Sequence, residues 1–255
     1  MMQNVLYVNK PQGISSFSLC KRVGKALNIK KVGHTGTLDP NATGVMIVLL
    51  DKATKANQFL VSSYKTYEAE VLLGEEYDSG DICGNLINKQ EAVELKEDKL
   101  KEVLNSFLGK SIQTPPLTSA IHVDGKRLYQ YQREGKEVEV PKREIEVKKI
   151  DLLSLNKDSF TFSCSVSSGT YIRSLVKDIA EKTGNIATLK NLKRTEVDNI
   201  KLEQCNELED IINGNYHLHS LKELLLNYLD EFPYNNKQDI INGKKLKLDC
   251  EKERI

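Results

Sequence analysis

The sequence predicts a soluble protein of mixed helices and strands, long enough for one large domain or one large and one small. Three observations carry that reading. Apolar runs such as Val5–Val8 and Val45–Leu50, and the alternating Tyr64–Leu73, read as strands. Ile172, Leu175, Val176, Ile179 and Ala180 follow the i, i+3, i+4, i+7, i+8 stripe of a helix. Hydrophobic residues at 39% and charged residues at 29% suit a globular chain of 255 residues with a substantial core.

In chain order, Val5-Leu6-Tyr7-Val8 is a short buried strand, stopped by the turn residues of Asn9-Lys10-Pro11-Gln12-Gly13. Ser15 or Ser16 then caps a helix with Phe17, Cys20, Val23 and Leu27 near one face and Lys21, Arg22 and Lys25 on the other. Three glycines, a proline and three threonines make Gly33–Gly44 a tight loop whose backbone can approach a ligand closely. The strand Val45–Leu50 follows, then a helix over Lys52–Val61, then the strand Tyr64–Leu73 with Tyr67, Ala69, Val71 and Leu73 on one side. Glu97–Leu108 is helical, with Gly109 at its C-cap. Glu144–Leu155 and Phe160–Ser167 are strands, and Gly184 ends the helix that Gly169-Thr170-Tyr171-Ile172-Arg173 opens. Leu189–Val197 is a further strand, and the helix Leu221–Leu229 precedes a polar tail.

The net charge of +1 names no partner, but its distribution is uneven. Residues 1–38 carry Lys10, Lys21, Arg22, Lys25, Lys30 and Lys31 and no acid, so Asp39 is the first carboxylate of the chain. One carboxylate in a basic, glycine-rich loop points to a catalytic acid, base or nucleophile working on a polyanion. The plain alternative is that Asp39-Pro40 starts a turn. Gln113–Lys142 mixes turns, tyrosines and cations, which suits either an arm laid against nucleic acid or a surface excursion. Arg173 sits at a helix N-terminus, where the dipole disfavours a cation, so a specific anion is expected to meet it.

Other chemistries are excluded. Asp78–Gly84 lacks the ligand spacing of an EF-hand, and Gly109-Lys110-Ser111 lacks the first glycine and preceding strand of a P-loop. His122, His217 and His219 have no convincing metal-site spacing. None of the five cysteines forms a C-x-x-C pair, and their odd number favours reduced thiols. The N-terminal ten residues have no long apolar region and no run is long enough to span a membrane, so a cytoplasmic protein is expected.

Four segments together resemble the tRNA pseudouridine synthase B family. They are Lys10-Pro11-Gln12-Gly13, Gly33-His34-Thr35-Gly36-Thr37-Leu38-Asp39-Pro40 through Gly44, Lys65-Thr66-Tyr67, and Ser168-Gly169-Thr170-Tyr171-Ile172-Arg173. They run in the family's order, and the likeness extends from about Val5 to about Leu202. The resemblance implies an α+β fold: a mixed β-sheet flanked by helices. It implies a catalytic domain over 1–215, with an RNA-contacting insertion at about 111–143. Residues 216–255 would be a short region like the start of a PUA-type domain, beginning near Asn242-Gly243-Lys244-Lys245. The tail, charged over 247–255, is shorter than the family's usual C-terminal domain, so weaker tRNA docking is expected.

The activity implied is isomerisation of uridine 55 in the tRNA T arm, by glycosidic cleavage, base rotation and reattachment through C5. It needs no metal and no cofactor, and a monomer is expected. Carried over by motif, Asp39 is the essential carboxylate, His34 lies against the RNA, and Tyr67 stacks on the flipped uracil. Tyr171 is a second active-site tyrosine, Arg173 the cation beside Asp39, and Asp81 a loop carboxylate near the substrate. Leu192 lines the pocket, and Lys10 joins the substrate-binding set. Pro115-Pro116 and Gly125-Lys126-Arg127-Leu128-Tyr129 resemble the RNA-contacting insertion. A non-catalytic RNA-binding protein of the same fold has the same spacing.

Overall fold

The computed structural model describes residues 3–60, 64–119, 121–229, 237–242 and 244. β1 (Gln3–Lys10) leads through a turn into α1 (Ser16–Ala26), where the Ser15 side chain accepts from Ser18 N and is the N-cap. β2 (Val32–His34) pairs antiparallel with β3 (Thr43–Leu50), so the loop expected over 33–44 is shorter and lies between two paired strands. Asp51–Phe59 is a 3₁₀ helix, over most of the stretch expected to be helical. There the Thr54 hydroxyl donates to Asp51 O at 2.7 Å and competes with the backbone ladder.

β4 (Tyr64–Leu73) keeps the predicted alternation, with Tyr67, Ala69, Val71 and Leu73 buried. β5 (Glu75–Tyr77) and β6 (Leu86–Lys89) pair around the 78–84 loop. In that loop the Asp78 carboxylate accepts from Asn85 N and Nδ2, so it shapes a turn. α2 (Glu97–Asn105) stops at Ser106, earlier than expected; Gly109, at φ +92°, opens β7 (Gly109–Gln113) instead of capping the helix. β8 (His122–Val123), β9 (Lys126–Arg127) and α3 (Leu128–Arg133) form the excursion before β10 (Arg143–Leu155) and β11 (Ser159–Ser167). Then come α4 (Ile172–Lys182), β12 (Ala187–Val197), β13 (Ile200–Lys201), β14 (Asn206–Glu207), α5 (Leu208–Ile212), β15 (His219–Ser220), α6 (Leu221–Leu226) and α7 (Lys237–Ile241).

Among the described residues eleven strands form one mixed sheet. Its order is β14-β1-β3-β12-β4-β11-β10-β7, with β2 on β3, β13 on β12 and β15 on β1. β3 is central, and its apolar run does not alternate because both faces are covered. Met46, Val48 and Leu50 enter one core with residues of α1, α2 and α4, while Val45, Ile47 and Leu49 enter a second with Ala53, Ala56 and Leu224. Across the boundary expected at 215/216, β15 pairs with β1, and Leu224 is buried beside Val5 and Tyr7. Gly243, Lys245 and the charged run 247–255 lie outside the described residues, as does Val61. No helix among the described residues is long and apolar enough to cross a membrane.

β3 and β12 run parallel, with Lys193 opposite Thr43 and Arg194 opposite Gly44. β12 pairs with β4 on its other edge, with Arg194 opposite Tyr67 and Leu192 opposite Ala69. Three segments far apart in sequence thus meet at one end of the sheet, beside the 35–42 loop. α4 starts there as well, because β11 lies next to β4.

Candidate active site

The 35–42 loop is fixed from three sides before any side chain in it acts. Ser16 Oγ donates to Leu38 O and accepts from Leu38 N, both at 2.9 Å. Lys10 Nζ donates to the carbonyls of Pro11, Ile14 and Pro40 at 3.0, 2.8 and 3.2 Å. Arg194 donates through Nε to Val45 O at 2.7 Å, through Nη2 to Gly36 O at 3.2 Å and through Nη1 to Thr37 O at 3.4 Å.

Asp39 projects from this loop to Arg173, the second residue of α4. Arg173 Nε lies 3.1 Å from Asp39 Oδ2 and Nη2 lies 3.4 Å from Oδ1, a two-point contact of guanidinium and carboxylate. Arg173 is buried at 6% exposure, whereas the Asp39 side chain keeps 35% of its surface open. Burial pushes the Asp39 carboxyl above the usual carboxylate range; Arg173 pulls it down, the charge of Asp81 pushes it up, and Lys10 pulls it down. Burial outweighs the guanidinium, so the cation does not by itself hold this carboxyl at its ordinary value.

The open side of Asp39 faces a cavity of about 660 Å³. Tyr67, Tyr171, Arg173 and Leu192 line it together with Asp39, so five of the eight candidates from the sequence share one wall. Asp39 is the sole acid among the residues lining it, against Lys65, Arg133, Arg173 and Arg194. Tyr67 is buried and hydrogen-bonds to Arg194; burial raises its hydroxyl and Arg194 lowers it. Tyr171 is the N-cap of α4, and the buried Gln113 holds it by accepting from Tyr171 N at 2.8 Å and donating to Tyr171 O at 3.1 Å. The Arg143 guanidinium lies 5.7 Å from the Tyr171 ring centre.

The other three candidates stand elsewhere. His34 ends β2, outside the cavity wall, half-buried with Nδ1 unpaired; burial and the charge of Arg194 push its imidazole down. Asp81 is buried in the 78–84 turn, where Oδ1 accepts from Ser79 Oγ at 2.9 Å and Cys83 N at 3.0 Å. Its effect on the site is through its charge on Asp39. Lys10 was expected to contact substrate, but it is 0% exposed and its ammonium is spent on backbone carbonyls. Lys10 holds the loop. Lys10→Met, which leaves those carbonyls unpaired, is expected to cost about 2 kcal/mol in urea unfolding.

Residues 24–172 match the family model for TruB family pseudouridylate synthase, N-terminal domain. The chain belongs to the TruB family. It is 42% identical over 215 residues to tRNA pseudouridine synthase B of Aquifex aeolicus (strain VF5), covering 84% of this chain and 75% of that one. It is 42% identical over 214 residues to the Clostridium tetani protein of that name, covering 84% and 74%. Among solved structures it resembles a chain of a Cbf5-Nop10-Gar1 complex, at TM-score 0.65 and 30% identity, over 83% of this chain and 54% of that one. It also resembles a chain of an H/ACA RNP bound to a substrate RNA containing 2'-deoxyuridine, at TM-score 0.63 and 28% identity, over 83% and 53%. The TruB-family chain thus spans about half the length of these solved chains.

Sequence reasoning assigned no role to several residues of this TruB-family site. Arg194 is 2% exposed and ties the Asp39 loop to β12. Its signal was present: it lies two residues after Leu192 on a strand, hence on the same face. Lys65 lines the cavity two residues before Tyr67, donates to Ser168 Oγ at 3.0 Å, and is pulled down to about 8 by burial and by Arg194. Ser119 also lines the wall, with its hydroxyl buried and unpaired. No sequence pattern singles Ser119 out.

Proposed function

We propose that this chain isomerises a uridine of tRNA to pseudouridine, at position 55 in the T arm. Family membership and the Asp39–Arg173 pair at the wall of a nucleotide-sized cavity support the reading, and the pair is the observation that carries it. The reaction breaks the N1–C1′ bond, turns the uracil and forms a C5–C1′ bond. N1 takes up a proton and C5 releases one, so the atoms balance without a cofactor.

A uracil stacked in a folded arm must first leave the stack, at a cost of a few kcal/mol. Tyr67 and Tyr171 flank the cavity, and stacking on an aromatic ring returns about 1–3 kcal/mol. Lys65 and Arg133 supply positive charge for the phosphates around the extruded nucleotide. As the glycosidic bond breaks, positive charge grows on the ribose, and the Asp39 carboxylate stabilises it. The segment over 113–142 lies against the RNA and brings Thr118, Ser119 and Arg133 to the cavity wall. The deciding experiment is tritium release from a T-arm stem-loop labelled at C5 of uridine; a purified protein that binds this RNA and releases no tritium ends the proposal.

The activity should carry the acid titration of Asp39. Deprotonated carboxylate is the working form, so kcat/KM falls as pH drops through its pKa, which burial holds above the ordinary 3.8. Asp81→Asn removes a like charge that raises Asp39. Its acid limb is therefore expected at lower pH than the wild-type limb, read from kcat/KM profiles of the two proteins. A limb that stays in place removes Asp39 as the titrating group.

A further inference from the structure

We propose that Thr118 is a positioning residue for the Asp39–Arg173 pair, joining the segment over 113–142 to the reacting carboxylate. The inference builds on the functional reading above. A guanidinium has five N–H donors in a rigid plane. In Arg173, Nε and one Nη2 bond face Asp39. The remaining donors face away: Nη2 to Thr118 O at 3.2 Å, Nη1 to Ser79 O at 2.8 Å, and Nη1 to Thr118 Oγ1. The Thr118 hydroxyl in turn donates to Ser79 O at 3.1 Å.

Thr118 Oγ1, Ser79 O and Arg173 Nη1 therefore close a three-cornered ring. Because the fork is planar, fixing its Nη1 end fixes the tilt of the edge that meets Asp39. Arg173 is 6% exposed, so solvent has little access to replace a lost acceptor. Thr118 also lines the cavity, so one residue contacts both the substrate space and the cation behind the carboxylate. Ser79 belongs to the loop that holds Asp81, so two loops converge on one side chain. The charged groups acting on Asp39 are Arg173 from α4, Asp81 from that loop and Lys10 from β1. Tyr67 and Cys83 feel its charge in return.

The test compares Thr118→Val, which keeps the volume and the backbone carbonyl, with Thr118→Ser, which keeps the hydroxyl. Loosening Arg173 weakens its pull on Asp39. In Thr118→Val the kcat on the T-arm stem-loop is expected to fall about tenfold with KM within about twofold. The acid limb of kcat should move to higher pH, and Thr118→Ser should restore both. In parallel, the carboxyl carbon of Asp39 is titrated by ¹³C NMR in the full chain without RNA, its resonance assigned with Asp39→Asn. The midpoint should rise in Thr118→Val and return in Thr118→Ser. Equal midpoints in wild type and Thr118→Val overturn the proposal, as does a loss of kcat that Thr118→Ser does not recover. If Thr118→Val fails to fold, Thr118→Ala takes its place in the same titration. A wild-type protein that releases no tritium refutes the functional reading, while the NMR midpoints still decide the role of Thr118.

Discussion

Asp39→Asn is expected to lower pseudouridine formation by about 10⁴-fold or more while RNA affinity stays within about twofold. The asymmetry follows from the geometry. Asp39 is the sole acid in a wall otherwise furnished with Lys65, Arg133, Arg173 and Arg194, so no neighbouring carboxylate takes over. RNA affinity depends on the cations and on the aromatic walls, which the substitution leaves in place. Folding should not suffer. Burial raises Asp39 above its ordinary value, so the folded protein binds its proton more tightly than the unfolded chain. That stability is present at low pH and lost as pH rises through the folded pKa. A neutral amide avoids the loss, and the melting temperature at neutral pH should hold or rise. Tritium release, a filter-binding isotherm and a thermal melt on one preparation check all three parts. Turnover within tenfold of wild type would remove Asp39 from the chemistry.

Gly44→Ala is expected to destabilise the protein by at least about 3 kcal/mol, which lowers the melting temperature by roughly 6–12 °C. Gly44 has φ +107°, and a Cβ there would lie 2.1 Å from Arg194 O and 2.8 Å from both Arg194 C and Arg194 N. The obstacle is backbone, which cannot swing aside. Either β3 and β12 part or the residue leaves its conformation, and both break the parallel contact that carries Arg194 to Gly36 and Thr37. Activity should fall with stability, because the Asp39 loop loses one of its three supports. Calorimetry on the purified variant is the check, and a melt within 2 °C of wild type on the scale of about 2–4 °C per kcal/mol would show that the strands tolerate the methyl group.

The long elements were legible because their side chains repeat. Tyr67, Ala69, Val71 and Leu73 announce β4, and Ile172, Leu175, Val176 and Ile179 announce α4, since one face of each packs on the core. Strands of two to five residues, such as β2, β5 and β9, have no room for a period and exist only through their partners. The same limit governed the site. The expected anion for Arg173 could be argued because a cation at a helix N-terminus is locally unfavourable. Arg194 carries only the strand face it shares with Leu192; its burial comes from β3, about 150 positions earlier in the chain, running beside it. Lys10 was expected in the substrate-binding set because nothing in Lys10-Pro11-Gln12-Gly13 shows three carbonyls turning inward around one ammonium.

The parallel junction of β3 and β12 also sets a schedule. During synthesis the loop that holds Asp39 is made long before α4 and β12, so it lacks the Arg173 counter-ion until α4 is made and the Arg194 clamp until residues 187–197 follow. A nascent chain halted anywhere before α4 holds the carboxylate without its oriented partner. The complete arrangement around Asp39 therefore forms only after both α4 and β12 have been made.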